Sequence, residues 1–412
     1  MNRKILFIPT SNSGVTWWRM WNFANSAYKT GLADIKLLWW QKGLTTTHPW
    51  EEDITKPEYK LRVFKEMATY AQEADAIVMQ MVHIEPSLGA FYTLKDLFPN
   101  KPLLAEIDDN MIDTAYYNPA SDVYDPAGTV HRKVAEKQFK SADGLIVSTP
   151  YLKQVYSEWN DNIYVVPNAI DHRIWGNVKK KGKPGIRIGW AGGMTHQKDL
   201  EILVPVIERI IAKNKNVTFV LCYGVPTEYR NIPGVEYVGK WSRIDRYPQY
   251  LADRGLDIAV APLVDNAFNR GKSNLRWLEA SALGIPTVAM NVGHFAETIQ
   301  HGIDGFLADN ADEMEKHIQT LIDDKRLRMG MGRAANIRTQ TDFNVDIVLN
   351  SYLEAIETAI KIGDQGKVPP YKSSWEDEIT PLEPIVPGGE LDNEFKSNQN
   401  ISVPVCNGPQ SN

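Results

Sequence analysis

The sequence predicts an α/β protein with two Rossmann-like domains, each built around a parallel sheet. Short runs rich in Ile, Val and Leu alternate with segments of helical period, which is typical of consecutive βαβ units. These runs form two series along the chain, with a lysine-rich segment between them. The length of 412 residues also exceeds what one ordinary hydrophobic core organises, so two domains are expected.

Buried strands account for the apolar runs. The first series predicts strands at residues 4–9, 35–39, 76–81, 103–106, 144–147 and 164–166. The second series predicts strands at residues 186–190, 217–222, 235–238, 258–261 and 287–289. Segment 172–185 carries four lysines and the turn-forming pair Pro184-Gly185, which favours a linker. We therefore expect an amino-terminal domain at residues 1–172 and a carboxy-terminal domain at residues 173–345.

The helix predicted after Asp199 shows how the helical segments are recognised. Its apolar residues recur at helical spacing, at positions 200, 203, 204, 207, 210 and 211. One face of this helix is therefore expected to pack on a sheet, with Asp199 as its N-cap.

The end of the chain differs in composition from the rest. Residues 363–412 contain eight acids, three lysines and seven prolines, with few periodic apolar residues. This composition predicts an irregular acidic tail. The alternative is that Trp375, Leu382 and Ile385 fix the tail across the body of the protein.

Charge and cysteine content narrow the classes of function. The net charge of −6 argues against general nucleic-acid binding, which needs a basic face. Cys222 and Cys406 lie far apart, so a reducing compartment without a disulfide framework is expected. The first apolar run is too short for a signal peptide, and no run reaches the ~18 residues of a membrane span. A cytoplasmic protein is therefore expected.

The strongest motif follows the strand at 258–261, where a polar loop leads into a helix that starts near Ser273. Ligands of α/β sheets bind at the carboxyl ends of the strands. The free N–H groups of Ser273, Asn274 and Leu275 favour a phosphate, which the ammonium of Lys272 also attracts. Glu279, further along this helix, is placed to accept hydrogen bonds from ribose hydroxyls.

A second candidate phosphate loop follows the strand at 186–190. Gly192 and Gly193 allow close approach of a ligand to the backbone, and Lys198 stands near the start of the next helix. A tight turn is the alternative explanation for the glycine pair. Two such loops in one domain fit a diphosphate bound from two sides. A P-loop is excluded, because Asn266 occupies the position of its first glycine.

The order of several motifs along the chain resembles that of a known family. The segments VPNAID, IGWAGGMTHQKDLEIL, VEYVGKW, LRWLEASALGIPTVA and GIDGFLADN follow one another in this order. Across residues 165–310 they resemble the donor domain of glycosyltransferase family 4. The resemblance implies a GT-B fold, with two Rossmann-like domains facing a central cleft that binds a nucleotide-diphosphate sugar. It also implies retention of anomeric configuration, no metal or other cofactor, and a helix at 346–362 that crosses back to the first domain.

The resemblance assigns roles to individual residues. Lys198 corresponds to the lysine that neutralises the donor diphosphate, and Glu279 to the glutamate that holds the ribose. The main chain from Val238 to Trp241 corresponds to the segment that reads the base. Asn274 and Leu275 correspond to the amides at the helix start that bind the phosphate.

The chain also departs from the family pattern. Gly271 stands where the family has its first motif glutamate, and Gly193 stands where it has an arginine. Candidate substitutes lie in the same loop: Lys272 or Arg270 for the charge, and Asn269 or Asp265 for the sugar hydroxyls. This variant resembles a divergent branch found in bacteria and their phages.

In the amino-terminal domain, Gly14 and Arg19 follow the first strand, where the superfamily places a loop against donor and acceptor. Gly14 permits close approach, and Arg19 is a candidate phosphate or acceptor ligand, or an ordinary residue of the helix start. Asp108 and Asp109 end another strand, where family members often carry a histidine. One of them is a candidate to orient the acceptor hydroxyl or accept its proton; helix capping is the alternative. His83, at a further strand end, lies at a cleft edge and is a candidate catalytic residue; a structural role is the alternative, and the commoner one for a lone histidine.

The sequence as a whole predicts a retaining, metal-independent glycosyltransferase. Its donor is a UDP-, GDP- or other NDP-sugar, and its acceptor is an unidentified glycan, lipid-linked or other hydroxyl compound. Lys198 and Lys272 stabilise the departing diphosphate, and Asp108 or Asp109 positions the acceptor. The alternative is a non-catalytic nucleotide-sugar-binding or scaffold protein. A Rossmann dehydrogenase is disfavoured, because no GxGxxG follows the first strand.

Overall fold

The computed structural model describes residues 3–10, 13–38, 57–82, 85–113, 130–193, 196–240 and 242–365. His83, Trp241, Cys406 and the predicted acidic tail beyond residue 365 lie outside these residues. The described backbone forms two parallel sheets of six strands each. This arrangement confirms the predicted α/β class with two parallel sheets.

The first sheet uses the first series of apolar runs. Its strands are β1 Arg3–Ile8, β2 Ala33–Leu37, β3 Ala76–Gln80, β4 Leu103–Ile107, β5 Gly144–Val147 and β6 Ile163–Val165. They lie in the order β2-β1-β3-β4-β5-β6. The runs are continuous rather than alternating because helices cover both faces of a parallel sheet.

The second sheet uses the second series and one strand that the sequence did not predict. Its strands are β7 Ile186–Gly192, β8 Val217–Tyr223, β9 Val235–Val238, β10 Ile258–Ala261, β11 Thr287–Met290 and β12 Phe306–Ala308. They lie in the order β12-β11-β10-β7-β8-β9. The unpredicted strand β12 is only three residues long and pairs with β11 alone. Such a short edge strand has too few apolar residues to show a period.

Helices cover these sheets. Those of the first half are α1 Gly14–Thr16, a π-helical turn Trp17–Trp21, α2 Asn22–Thr30, α3 Pro57–Glu73, α4 Glu85–Leu97, α5 Val130–Ser141, α6 Pro150–Tyr156 and α7 His172–Trp175. Those of the second half are α8 Leu200–Lys213, α9 Tyr247–Ala252, α10 Ala267–Arg270, α11 Leu275–Ala282, α12 Gly293–Thr298, α13 Ala311–Asp323, α14 Lys325–Thr341 and α15 Val345–Gln365. Short 3₁₀ turns lie at Thr227–Tyr229 and Ile244–Arg246. Among the described helices, none is long and apolar enough to cross a bilayer.

The last helix, α15, packs on the first sheet although it follows the second sheet in the chain. The ring of Tyr352 lies between Phe7 and Phe23, with centroid distances of 5.2 and 4.9 Å. Asp346 accepts hydrogen bonds from Ser26 at 2.6 Å and from Arg173 at 2.8 Å. This helix therefore completes the core of the amino-terminal half.

Candidate functional site

The two predicted phosphate loops meet where the strand order of the second sheet reverses. Strands β7 and β10 are neighbours, with Ile188 paired to Ile258, and β8 lies on the other side of β7. The loop after β7 runs to α8, whereas the loop after β10 runs to α10 and α11. A crevice opens between two loops that diverge in this way, and such a crevice is the usual ligand site of an open α/β sheet.

A buried carboxylate joins the two loops. Asp199 is fully buried, and its Oδ1 accepts hydrogen bonds from the backbone N–H of Val264 at 2.8 Å and from the amide of Asn269 at 3.0 Å. Its Oδ2 lies 2.8 Å from Nδ1 of His196. Asp199 occupies the N-cap position of α8 as predicted, but its carboxylate faces the neighbouring loop and makes no cap hydrogen bond.

Asn269 belongs to the same hydrogen-bond network. It is almost fully buried, and its amide nitrogen donates to Asp199 and to the carbonyl of Val264 at 2.9 Å. The prediction that this side chain binds sugar hydroxyls is therefore corrected: Asn269 fixes the shape of the loop.

Arg270 and Asp265 neutralise each other on the surface. The guanidinium of Arg270 makes a two-pronged contact with the carboxylate of Asp265, with Nε 2.6 Å from Oδ1 and Nη2 2.9 Å from Oδ2. About half of each side chain is exposed. In this structure the charge of Arg270 is compensated and both oxygens of Asp265 are engaged, so their roles toward the donor stay predictions.

The two predicted lysines also have acidic partners. Nζ of Lys198, just before α8, lies 2.6 Å from the carboxylate of Glu201. Nζ of Lys272 lies 2.7 Å from Oδ1 of Asp109 and above the ring of Phe268. Lys272 thus joins the loop after β10 to the strand end of the first sheet, where Asp109 was predicted to act.

Gly271 lies against the amino-terminal half. A Cβ at this position would lie 3.0 Å from a methyl of Leu152 and 3.1 Å from Cβ of Asn110. The amide of Asn110 also donates to the carbonyl of Ala267 at 3.1 Å. A side chain at position 271 would therefore crowd the other half of the protein, whose residues would have to shift by a few tenths of an ångström.

Ser273 and Asn274 precede helix α11. Oγ of Ser273 accepts a hydrogen bond from Asn168 at 2.8 Å, so this side chain contributes to the contact between the two halves. Asn274 is fully buried and donates to Oγ1 of Thr298 at 3.2 Å, without capping the helix. Leu275 begins the helix as predicted, and phosphate binding by these amides stays a prediction.

Glu279 faces a tyrosine within the crevice. Its side chain is buried, and Oε2 accepts a hydrogen bond from the hydroxyl of Tyr247 at 3.1 Å. Burial raises the pKa of Glu279 to about 7, although the nearby Arg276 and the tyrosine oppose this shift. Ribose binding by Glu279 stays a prediction. Arg276, three residues earlier on the same helix, is a cation that the sequence reasoning missed, and only its spacing from Glu279 pointed to it.

The candidate glycines and the predicted base-reading segment differ in how closely other residues surround them. A Cβ at Gly14 or Gly193 would meet no atom of the described residues within 4 Å, whereas one at Gly192 would meet Arg276 and Trp190 at 2.5 Å. Val238 ends β9 and is half-buried. The roles predicted for these residues stay predictions.

Asp108 and Asp109 follow β4 and have different surroundings. Asp109 contacts Lys272, while burial raises the pKa of Asp108 to about 8, helped by the charges of Asp109 and Glu106. The turn is fixed by Tyr156, whose hydroxyl donates to the carbonyl of Asp109 at 2.6 Å. One carboxyl of the pair is therefore protonated near neutral pH and can donate a hydrogen bond.

Arg19 is a structural residue. It lies in the π-helical turn Trp17–Trp21 and is fully buried, with Nε 2.6 Å from the carboxylate of Glu106. Nη1 donates to the carbonyl of Val166 at 2.8 Å and to Asn168 at 3.1 Å. The prediction that Arg19 binds a phosphate or an acidic acceptor is corrected, since this side chain has no exposed surface.

The described residues contain no group of three His, Cys, Asp or Glu side chains that could hold a metal ion.

Comparison with known proteins identifies relatives of the second sheet and of the whole fold. Residues 185–324 match the family described as "Glycosyl transferases group 1". The D-inositol 3-phosphate glycosyltransferase of Arthrobacter sp. (strain FB24) is 33% identical over 268 residues, which cover 58% of this chain and 62% of that protein. Matches to the curated relatives span between 25% and 62% of their lengths.

Solved structures share the fold. Sucrose-phosphate synthase from Thermosynechococcus elongatus aligns with a TM-score of 0.64 and 16% identity, over 87% of this chain and 100% of that one. HepE from Anabaena, solved in complex with UDP-glucose, aligns with a TM-score of 0.59 and 17% identity over the same shares. The chain thus has a GT-B fold, and its residues 185–324 match the group 1 glycosyltransferase family.

Proposed function

We propose that this protein is a retaining glycosyltransferase that moves a sugar from a nucleotide-diphosphate sugar to an acceptor hydroxyl without a metal. The observation that carries the proposal is the crevice between the loops after β7 and β10. It brings the start of α11, Lys272 and Glu279 together at the reversal of strand order. The group 1 match and the glycosyltransferase relatives support this reading of the crevice.

The donor is a UDP-sugar in our proposal. Support comes from HepE, whose structure holds UDP-glucose and whose fold this chain shares. The diphosphate lies at the start of α11, where the uncapped N–H groups and the helix dipole attract negative charge. The carboxylate of Glu279 accepts hydrogen bonds from the ribose hydroxyls.

Departure of the nucleoside diphosphate is the step that needs charge stabilisation. Lys272 and Lys198 provide it by exchanging their carboxylate partners for the diphosphate. The acceptor hydroxyl attacks the anomeric carbon from the face of the leaving group, positioned by Asp108 or Asp109. The contact between the two halves keeps water from the reacting carbon.

The acceptor belongs to the proposal only as a class. The relatives named above are D-inositol 3-phosphate glycosyltransferases, so D-inositol 3-phosphate is the first acceptor to test. We place the reaction in the cytoplasm, which agrees with a buried, unbridged Cys222.

Turnover tests the proposal. The purified chain is incubated with UDP-, GDP-, ADP- and dTDP-sugars, with and without D-inositol 3-phosphate, and release of the nucleoside diphosphate is measured. Release that persists in EDTA supports metal independence, and the NMR coupling of the product's anomeric proton reports retention. Absence of release from every donor would remove the enzymatic proposal.

A second candidate is a non-catalytic nucleotide-sugar-binding protein. It is favoured by the absence of the family's first motif glutamate at Gly271, where a Cβ would make close contacts with Leu152 and Asn110. This candidate predicts that a donor raises the melting temperature while no nucleoside diphosphate is released.

A further inference from the structure

The side chain of Arg276, on α11, lies against the end of β7. It is half-buried, and the described residues offer it neither a hydrogen bond nor an ion pair. Its guanidinium carbon lies 5.2 Å from the centre of the Trp190 ring, in a cation–π contact. A guanidinium has five N–H donors, and burying them without acceptors is costly. The setting is therefore built for a group that supplies acceptors.

Gly192 provides the space in which this guanidinium sits. A Cβ at residue 192 would lie 2.5 Å from Nη2 and 2.9 Å from Nη1 of Arg276. Any side chain at this position would displace the guanidinium. The first glycine of the loop after β7 thus brings the arginine of α11 against the backbone of that loop.

The acidic groups nearest Arg276 are hydrogen-bonded to other residues, and each acts on it only through its charge. The carboxylate of Asp199 is already engaged by the loop after β10 and by His196. The carboxyl of Glu279 has a pKa raised by burial, and the hydroxyl of Tyr247 donates to it. Positive charge from Arg276 and Lys272 adds to burial in lowering the pKa of His196 to about 4, so His196 is neutral.

The other cations of these two loops differ from Arg276. Lys198, Arg270 and Lys272 each contact a carboxylate within 2.7 Å. Arg276 therefore differs from these three cations in making no ion pair with a described carboxylate.

We propose that Arg276 binds the diphosphate of the donor nucleotide and replaces the arginine that the family pattern places at Gly193. This inference rests on the proposed function. The planar fork of a guanidinium matches two phosphate oxygens, which an ammonium cannot do. At Gly193 a Cβ would meet no described atom within 4 Å. In this proposal the arginine is carried by α11 and not by the loop after β7.

The test measures nucleotide affinity by isothermal titration calorimetry. The wild type is titrated with UDP, GDP, ADP and dTDP, and the tightest of these and its nucleoside become the probes. R276A is expected to raise the Kd for the nucleoside diphosphate about 10- to 100-fold, the range for a lost charged hydrogen bond. The Kd for the nucleoside is expected to change less than twofold. R276K is expected to fall between R276A and the wild type.

R326A is the control, because it removes an exposed arginine of α14 that belongs to neither of the two loops. It is expected to leave both affinities unchanged. Thermal unfolding of each variant without ligand shows whether the fold is intact.

The double variant R276A/G193R tests the replacement directly. Because a Cβ at position 193 would meet no described atom within 4 Å, an arginine can be accommodated there, and we expect it to recover most of the lost diphosphate affinity. Recovery supports the exchange of one arginine for another.

Each other outcome overturns the inference. If R276A binds the diphosphate as tightly as the wild type, Arg276 does not contact it, while the proposed donor site stands. If R276A loses diphosphate and nucleoside affinity equally, Arg276 acts by supporting Glu279 rather than by binding phosphate. A wild type that binds none of the four diphosphates removes both the inference and the donor site.

Discussion

Replacing Arg19 by methionine tests whether this residue is structural or binds the donor. Methionine keeps most of the volume but removes the charge, which leaves the carboxylate of Glu106 buried without its cation. The two side chains are 0% and 1% exposed and lie 2.6 Å apart. Removing one partner of such a pair costs about 3–5 kcal/mol of unfolding free energy.

The size of this effect makes it easy to measure. For a domain of this size, about 3–5 kcal/mol corresponds to a fall of about 6–20 °C in the melting temperature of the half that contains the first sheet. R19M/E106Q removes the orphaned charge as well and is expected to recover most of the loss. R270M, which removes an exposed arginine, is expected to change the melting temperature little.

Calorimetry of unfolding and donor titration are performed on the same samples. The structural role predicts a lower melting temperature, with donor affinity unchanged in protein that remains folded. An R19M variant that unfolds like the wild type but binds the donor more weakly would refute this reasoning. Arg19 would then be a phosphate ligand, as its place after the first strand suggested.

Three further predictions concern the crevice. G192A should weaken donor binding by displacing Arg276, whereas G193A, which meets open space, should not; titration of both variants decides this. Donor affinity should rise about tenfold from pH 6 to pH 8, because a group with a pKa of about 7 goes from about 9% to about 91% ionised. A nucleotide sugar serves as the probe, and an unchanged slope in E279Q would exclude Glu279 as the cause. G271E should cost about 1–3 kcal/mol of stability in denaturant unfolding, since the new side chain would crowd Leu152 and Asn110. A variant of full stability would contradict that packing.

The sequence predicted the sheets well because their information is local. Runs such as Val217–Tyr223 are buried on both faces, so composition alone marks them as strands. Strand β12 was missed because its three residues carry no period. The loops after β7 and β10 were also found from local features, namely glycines, lysines and the strands before them.

Side-chain partners were predicted less well, because they depend on contacts far apart in sequence. Arg19 and Glu106 are separated by 87 residues, and the sequence around Arg19 gives no sign that it pairs with a carboxylate. Asp199 had the sequence setting of an N-cap, but Val264 and Asn269 compete for its carboxylate and win. Arg276 was overlooked because its significance depends on the glycine of another loop.

The position of α15 governs how this protein can be divided. Since Tyr352 fills the space between Phe7 and Phe23, the half that is synthesised first is completed only when the last described helix has been made. When only the first 172 residues have been synthesised, the apolar face that α15 covers is still exposed. An amino-terminal fragment cut at the linker lacks that cover. A fragment that is meant to contain the folded amino-terminal half therefore has to include residues 345–365.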